Sequence, residues 1–265
     1  MIPPDGARVD VEDRDGDLRV LTLHNPSRRN ALDRALLSAI AEALDPAKTA
    51  HVRAILIRGA HGAFSSGYDL GQLSPADDGD ALPDDHVGEL LDSVARHPAP
   101  SVALVEGPAF GAGCELAVTC DFRVGGPAAV FCMPPARLGI VYAPEGIAKV
   151  ARIVGWQRAK RMFLTGMQVD AGTAFRWGLL DEYVEDAAPG AAEAKALALC
   201  RALADGAPLA VQGMRRAIAM LSRTALSAED DAGLRALRRD AYRSADLQEG
   251  RAAFLEKRKP RFTGR

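Results

Sequence analysis

Two short segments carry residue types and spacings suited to chemistry on a polarised carbonyl. The first is Ala63–Leu70, AFSSGYDL, where small residues and Gly67 follow an apolar run, Val52–Ile57. Small residues let a ligand approach backbone N–H groups closely. Taken alone, the segment also reads as a tight turn capped by Asp69. The second is Glu106–Leu116, EGPAFGAGCEL, which runs from a strand through a glycine-rich turn into a helix N-terminus. Such a junction leaves unpaired amides at the positive end of a helix dipole, where developing negative charge is favoured. The glycines also fit a close helix–strand contact. Their spacing, G-x-x-x-G-x-G, is not the dinucleotide fingerprint G-x-G-x-x-G, and Asp121 lies too near to act as its ribose-binding acid. A packing role does not account for Glu115, a carboxylate in the first turn of an otherwise apolar helix expected over Gly113–Thr119. A buried carboxylate needs partners or a raised pKa, which makes Glu115 a candidate general acid or base.

A third segment is Tyr142-Ala-Pro-Glu-Gly146. Pro144 suits the first position of a helix, which puts Glu145 at that helix's N-terminus. Glu145 fits equally a surface carboxylate favoured by the dipole and an acid/base group. Tyr142 could donate a proton or a hydrogen bond, but reads first as a packing residue. The histidines (His24, His51, His61, His86, His97) and the cysteines (Cys114, Cys120, Cys132, Cys200) are spaced as neither metal ligands nor a dense disulfide framework.

The elements that must position these groups alternate between strand and helix. Strands are expected at Arg19–Leu23, Val52–Ile57, Ser101–Val105 and Phe122–Val124. Apolar spacing at Leu32, Leu36, Leu37, Ile40 and Leu44 predicts a helix with Asn30 as N-cap, and another covers Val87–Arg96. Ser74–Asp85, rich in Asp, Pro and Gly, reads as a loop. This is an α/β pattern of repeated strand–helix turns. From Ala191 the chain turns helical, with helices expected at Ala191–Ala204, Pro208–Ser222, Ser227–Ala241 and Asp246–Lys257. Ser227-Ala-Glu-Asp230 resembles a capping box, with Leu226 as its staple. Residues 1–190 thus form a core and 191–265 a helical segment suited to covering a neighbour.

Composition narrows the class. The 265 residues are 48% hydrophobic, enough for a sizeable core, and the net charge of −2 argues against a dedicated nucleic-acid binder. The N-terminal residues are rich in Asp and Pro and are expected to fray. With no apolar leader and no run long enough to span a bilayer, a cytoplasmic protein is expected.

Taken together and in order, AFSSGYDL and GPAFGAGCEL resemble the paired oxyanion-hole loops of the crotonase (enoyl-CoA hydratase/isomerase) family. The resemblance extends from LHNPSRRNAL (Leu23–Leu32) through LTGMQVDAGTAFRWGLLDEYV (Leu164–Val184) to AFLEKRKPRF (Ala253–Phe262). It implies a spiral of ββα turns with a helical C-terminal part, assembled as a homotrimer or homohexamer. It also implies an acyl-CoA thioester substrate, with coenzyme A entering only as part of that substrate. The backbone N–H groups of Tyr68 and Ala112 would form the oxyanion hole. Ser66, Gly67, Asp69 and Gly111 would line the substrate, and Arg28, Arg29 and Lys257 would serve coenzyme A. Glu115 matches the family's helix glutamate, with Glu145 as a displaced second acid/base. The second glutamate of the hydratases falls in the stretch Phe131–Gly139, where this chain has Pro135, so double-bond isomerisation is favoured over hydration, which stays open because Glu145 could supply the other carboxylate. A non-catalytic acyl-CoA-binding protein on the same scaffold is an alternative. A serine hydrolase using Ser65 or Ser66 with His61 is another, although no G-x-S-x-G turn is present.

Overall fold

The computed structural model describes residues 6–72, 82, 85–206, 208–222, 232, 236, 239, 242–258 and 260. Most of the Ser74–Asp85 loop, most of the Ser227–Ala241 helix with its capping box, Lys259 and Phe262 lie outside the described residues.

A six-stranded sheet forms the frame, in the order β1-β2-β3-β4-β6-β9. Its strands are β1 (Arg8–Arg14), β2 (Leu18–His24), β3 (Ala54–Gly59), β4 (Ser101–Val105), β6 (Phe122–Gly125) and β9 (Glu182–Tyr183). All pairs are parallel except β1 with β2. A second sheet, in the order β5-β7-β8, holds β5 (Pro108–Phe110), β7 (Val130–Cys132) and β8 (Gln168–Asp170). Successive turns of chain give one strand to the large sheet and the next to the small one: β4 then β5, β6 then β7. An isolated bridge, Ser65 to Ala109, brings the segment after β3 beside β5 in the same way. The result is the expected spiral.

Strands covered on both faces read as continuous apolar runs, as in AILI of β3 and SVALV of β4. Alternate residues serve different layers. Leu21, Ile55, Ile57, Ala103 and Val105 pack with α1 (Arg34–Ala43), α2 (Asp85–Arg96) and α3 (Ala112–Thr119). Val20, Ala54, Leu56, Val102 and Leu104 meet Ala192, Ala196, Cys200 and Ala204 of α7 (Ala191–Ala204). Further helices are α4 (Pro144–Val154), α5 (Trp156–Thr165), α6 (Ala171–Trp177), α8 (Pro208–Leu221) and α9 (Ala245–Leu255). Among the described residues, no helix is long and apolar enough to cross a membrane.

Two expectations are corrected. The N-terminal segment expected to fray contains β1, an edge strand whose exposed side chains suit an unpaired rim. Asn30 is not the N-cap of α1. Asp33 holds that position, its carboxylate accepting from Leu36 N at 2.8 Å. Asn30 is instead buried with φ +58°, donating to the Ala60 and Ala63 carbonyls at 2.8 Å each and accepting from Asn25 N at 2.9 Å. It fastens the chain after β2 to the start of the AFSSGYDL loop. That tertiary role overrides the local capping pattern.

Candidate active site

The site begins with a backbone contact between the two singled-out segments. Ser65 N donates to Pro108 O at 3.0 Å, and Phe110 N donates to Ser65 O at 2.9 Å. On the other edge, Leu32 N donates to Gly67 O at 2.8 Å and Asp69 N to Leu32 O at 3.3 Å. In a parallel bridge these bonds use the groups on either side of Tyr68. The Tyr68 N–H is therefore turned away from Leu32, toward the side on which Ser65 meets β5. Gly67 has φ +98°, and a Cβ there would stand 2.6 Å from Phe110 O and 3.4 Å from Ala112 N. Only glycine lets the first loop lie this close to the second turn. Ala112 is the first residue of α3, so its N–H is one that a helix does not bond internally.

Glu115 follows one turn later and is buried, at 5% exposure. It is held by two groups from the other side of the site. Tyr142 Oη donates to Glu115 Oε2 at 2.8 Å, and Lys149 Nζ donates to Oε1 at 3.2 Å. Lys149 comes from α4, and Tyr142 from the segment just before it. Gly146 lies between them: a Cβ there would stand 2.5 Å from Tyr142 Cε1 and 2.8 Å from Glu115 Oε2. Tyr142 also packs edge-on against Phe163, with ring centroids 5.6 Å apart. A pure packing role for Tyr142 is thus corrected, because its hydroxyl bonds the buried carboxylate.

These groups face a cavity of about 1020 Å³. Its walls include Arg28, Ser66, Gly67, Tyr68, Asp69, Gly111 and Ala112, with both Glu115 and Glu145. Glu145 is exposed in the first turn of α4, where Pro144 stands at the helix start as expected. Pro135 is buried and also lines the cavity. Val87 and Leu91 of α2 contribute apolar wall, as do Phe254 and Leu255 of α9. Arg28 pairs with the Asp69 carboxylate, and Ser66 Oγ donates to Arg28 O at 2.7 Å.

Two expected ligand contacts are not brought to the cavity. Arg29 is exposed and takes part through its carbonyl, which accepts from Ser66 N at 2.9 Å. Lys257 is exposed past the end of α9, outside the lining residues. The cavity-facing cation at that end is Arg258, which is bonded to Glu249 and Glu256. Sequence reasoning missed Lys149. Its one signal was its place four residues after Glu145 on a helix, hence on the same face. The serine–histidine pairing does not form: Ser65 Oγ accepts from Gly67 N at 3.2 Å, and the His61 ring stands edge-on to His24 at 5.6 Å.

A family model described as enoyl-CoA hydratase/isomerase matches residues 13–265. The chain belongs to that family. A 2,3-dehydroadipyl-CoA hydratase of Escherichia coli is 35% identical over 252 residues, covering 93% of this chain and 95% of the relative. An enoyl-CoA isomerase/hydratase of Mycosarcoma maydis is 34% identical over 262 residues, covering 92% of each. Among solved structures, a methylmalonyl-CoA decarboxylase in complex with 2-nitronate-propionyl-CoA superposes with a TM-score of 0.89 at 27% identity, over 97% of this chain and 99% of that one. The family and the spiral fold expected from the sequence are both borne out. The relatives' names cover hydratases, isomerases and a decarboxylase, so the family marks an enzyme while leaving several reactions in play.

Proposed function

We propose that the protein acts on an acyl-CoA thioester through a thioester enolate, and that its reaction is a proton shift moving a double bond along the acyl chain. The observation that supports this reading is the close approach of the Gly67 backbone to Phe110 O and Ala112 N, with Tyr68, Ala112 and Glu115 all among the residues lining one cavity. In this reading the thioester oxygen lies between the two N–H groups. Glu115 takes a proton from the acyl carbon, the electron pair moves onto the oxygen, and the same carboxyl returns the proton to another carbon. Each preorganised donor contributes about 3 kcal/mol to the enolate-forming transition state. Water addition calls for a second carboxylate across the substrate. Pro135 cannot supply it, which leaves Glu145, lining the cavity from an exposed turn, as the remaining candidate.

The test sets a 3-enoyl-CoA, followed by appearance of the conjugated thioester, beside a 2-enoyl-CoA, followed by its loss to water. Isomerisation should dominate, and Glu115→Gln should lower it by about 10²–10⁴-fold, the usual contribution of a general base. Thioester binding with no turnover of either substrate, or full activity in the Gln variant, would refute this assignment.

A second reading is loss of CO₂ from a 2-carboxyacyl-CoA. It is favoured by the likeness to methylmalonyl-CoA decarboxylase. Breaking the bond to the carboxylate leaves its electron pair in the same enolate, which then takes up one proton. No base is needed, so decarboxylation would survive Glu115→Gln where isomerisation would not.

A further inference from the structure

We infer that Lys149 is a positioning residue: with Tyr142 it clamps the Glu115 carboxyl group and fixes its direction into the cavity. This rests on the reading of Glu115 as the acid/base group. Gly146 and Lys149 fall three apart on α4, the spacing that stacks positions on one helical face, and Tyr142 comes from the segment just before that helix. Tyr142 bonds one carboxylate oxygen at 2.8 Å, Lys149 bonds the other at 3.2 Å, and Gly146 leaves the room between them. Lys149 is itself largely buried, with 23% of its side chain exposed, and the carboxylate is 6% exposed. At that burial, solvent screens the pair weakly, so the lysine's charge is felt by its neighbour.

Other charged groups face the same cavity. Glu145 lies at the start of α4, Asp85, Glu89 and Asp92 lie on α2, Arg137 follows β7, Arg258 follows α9, and Arg28 with Asp69 lies on the loop side. Lys149 is the cation bonded to Glu115 itself, so its loss outweighs theirs.

The experiment follows the Glu115 carboxyl directly, by carbon NMR of the full chain carrying glutamate labelled at the side-chain carboxyl, with the resonance assigned by subtraction of Glu115→Gln. Lys149→Met should move the titration of this resonance up by about one pH unit or more, the size of a close ion pair's effect. Lys149→Arg should restore most of the difference. The acid limb of the pH–rate profile should move with it, and kcat should fall more than KM rises. A resonance that titrates identically in wild type and Lys149→Met overturns the clamp, whatever the activity. The base assignment is judged apart from this, because it fails if Glu115→Gln keeps full turnover even where the resonance has moved. Thermal unfolding of each variant shows that the readout comes from a folded chain.

Discussion

At the residue scale the site turns on how Glu115 is surrounded. Its backbone sits in an apolar helix, yet both oxygens bond to groups delivered by a neighbouring element. Gly146 sets the separation. Replacing it with Ala brings two opposed effects. Helix propensity favours the change by about 1 kcal/mol, while overpacking costs about 1–3 kcal/mol. The new methyl would meet the Tyr142 ring and the Glu115 carboxylate at 2.5 and 2.8 Å, so the cost falls on the site. Gly146→Ala should therefore change unfolding free energy by less than about 2 kcal/mol while lowering kcat at least tenfold, read from paired denaturation and kinetic measurements.

At the element scale, two loops and one helix start do the positioning. Ala112 is the first residue of α3, the one helical position where proline fits without disturbing the bonding ladder. Ala112→Pro deletes the N–H and leaves the helix start intact. Steady-state kinetics should show a kcat loss of about 10²–10³-fold, typical for one oxyanion donor, with the melting temperature nearly unchanged. An unaffected kcat would show that this amide is not used. Much of this layer was legible in the sequence. The apolar runs of β2, β3 and β4 stand out because both sheet faces are covered, and α7 shows at its full length. The strands β5, β7, β8 and β9 are two or three residues long and carry no period. Asn30 was misread because an Asn before a periodic run looks like a cap, and only the tertiary contact with Ala60 and Ala63 distinguishes it. Lys149 was invisible for a related reason. The polar face of an amphipathic helix ordinarily meets water, and nothing local reveals that a buried carboxylate lies opposite.

At the scale of the whole molecule, the sheet is a rigid platform sealed on both faces, and its acid sensitivity follows from what is sealed in. His97 is buried, its Nε2 2.9 Å from Thr49 Oγ1 and its Nδ1 accepting from Ala99 N at 3.1 Å. Burial chiefly holds its pKa below the ordinary histidine value of 6.5. The fold thus accommodates the neutral ring, and the unfolded chain takes up the proton first on acidification. The stabilisation is complete above about pH 6.5 and is lost as the pH falls toward the folded-state value. Calorimetry should show the melting temperature dropping over that range, with a shallower slope in His97→Gln. The cavity itself spans the chain: the turns at Tyr68 and Ala112 line it, while Phe254 and Leu255 of α9 form part of its wall. During synthesis on the ribosome, the sheet and both turns emerge long before that wall is made. The nascent chain thus carries both turns with the pocket still incomplete, and the wall is finished only when α9 has cleared the exit tunnel and docked.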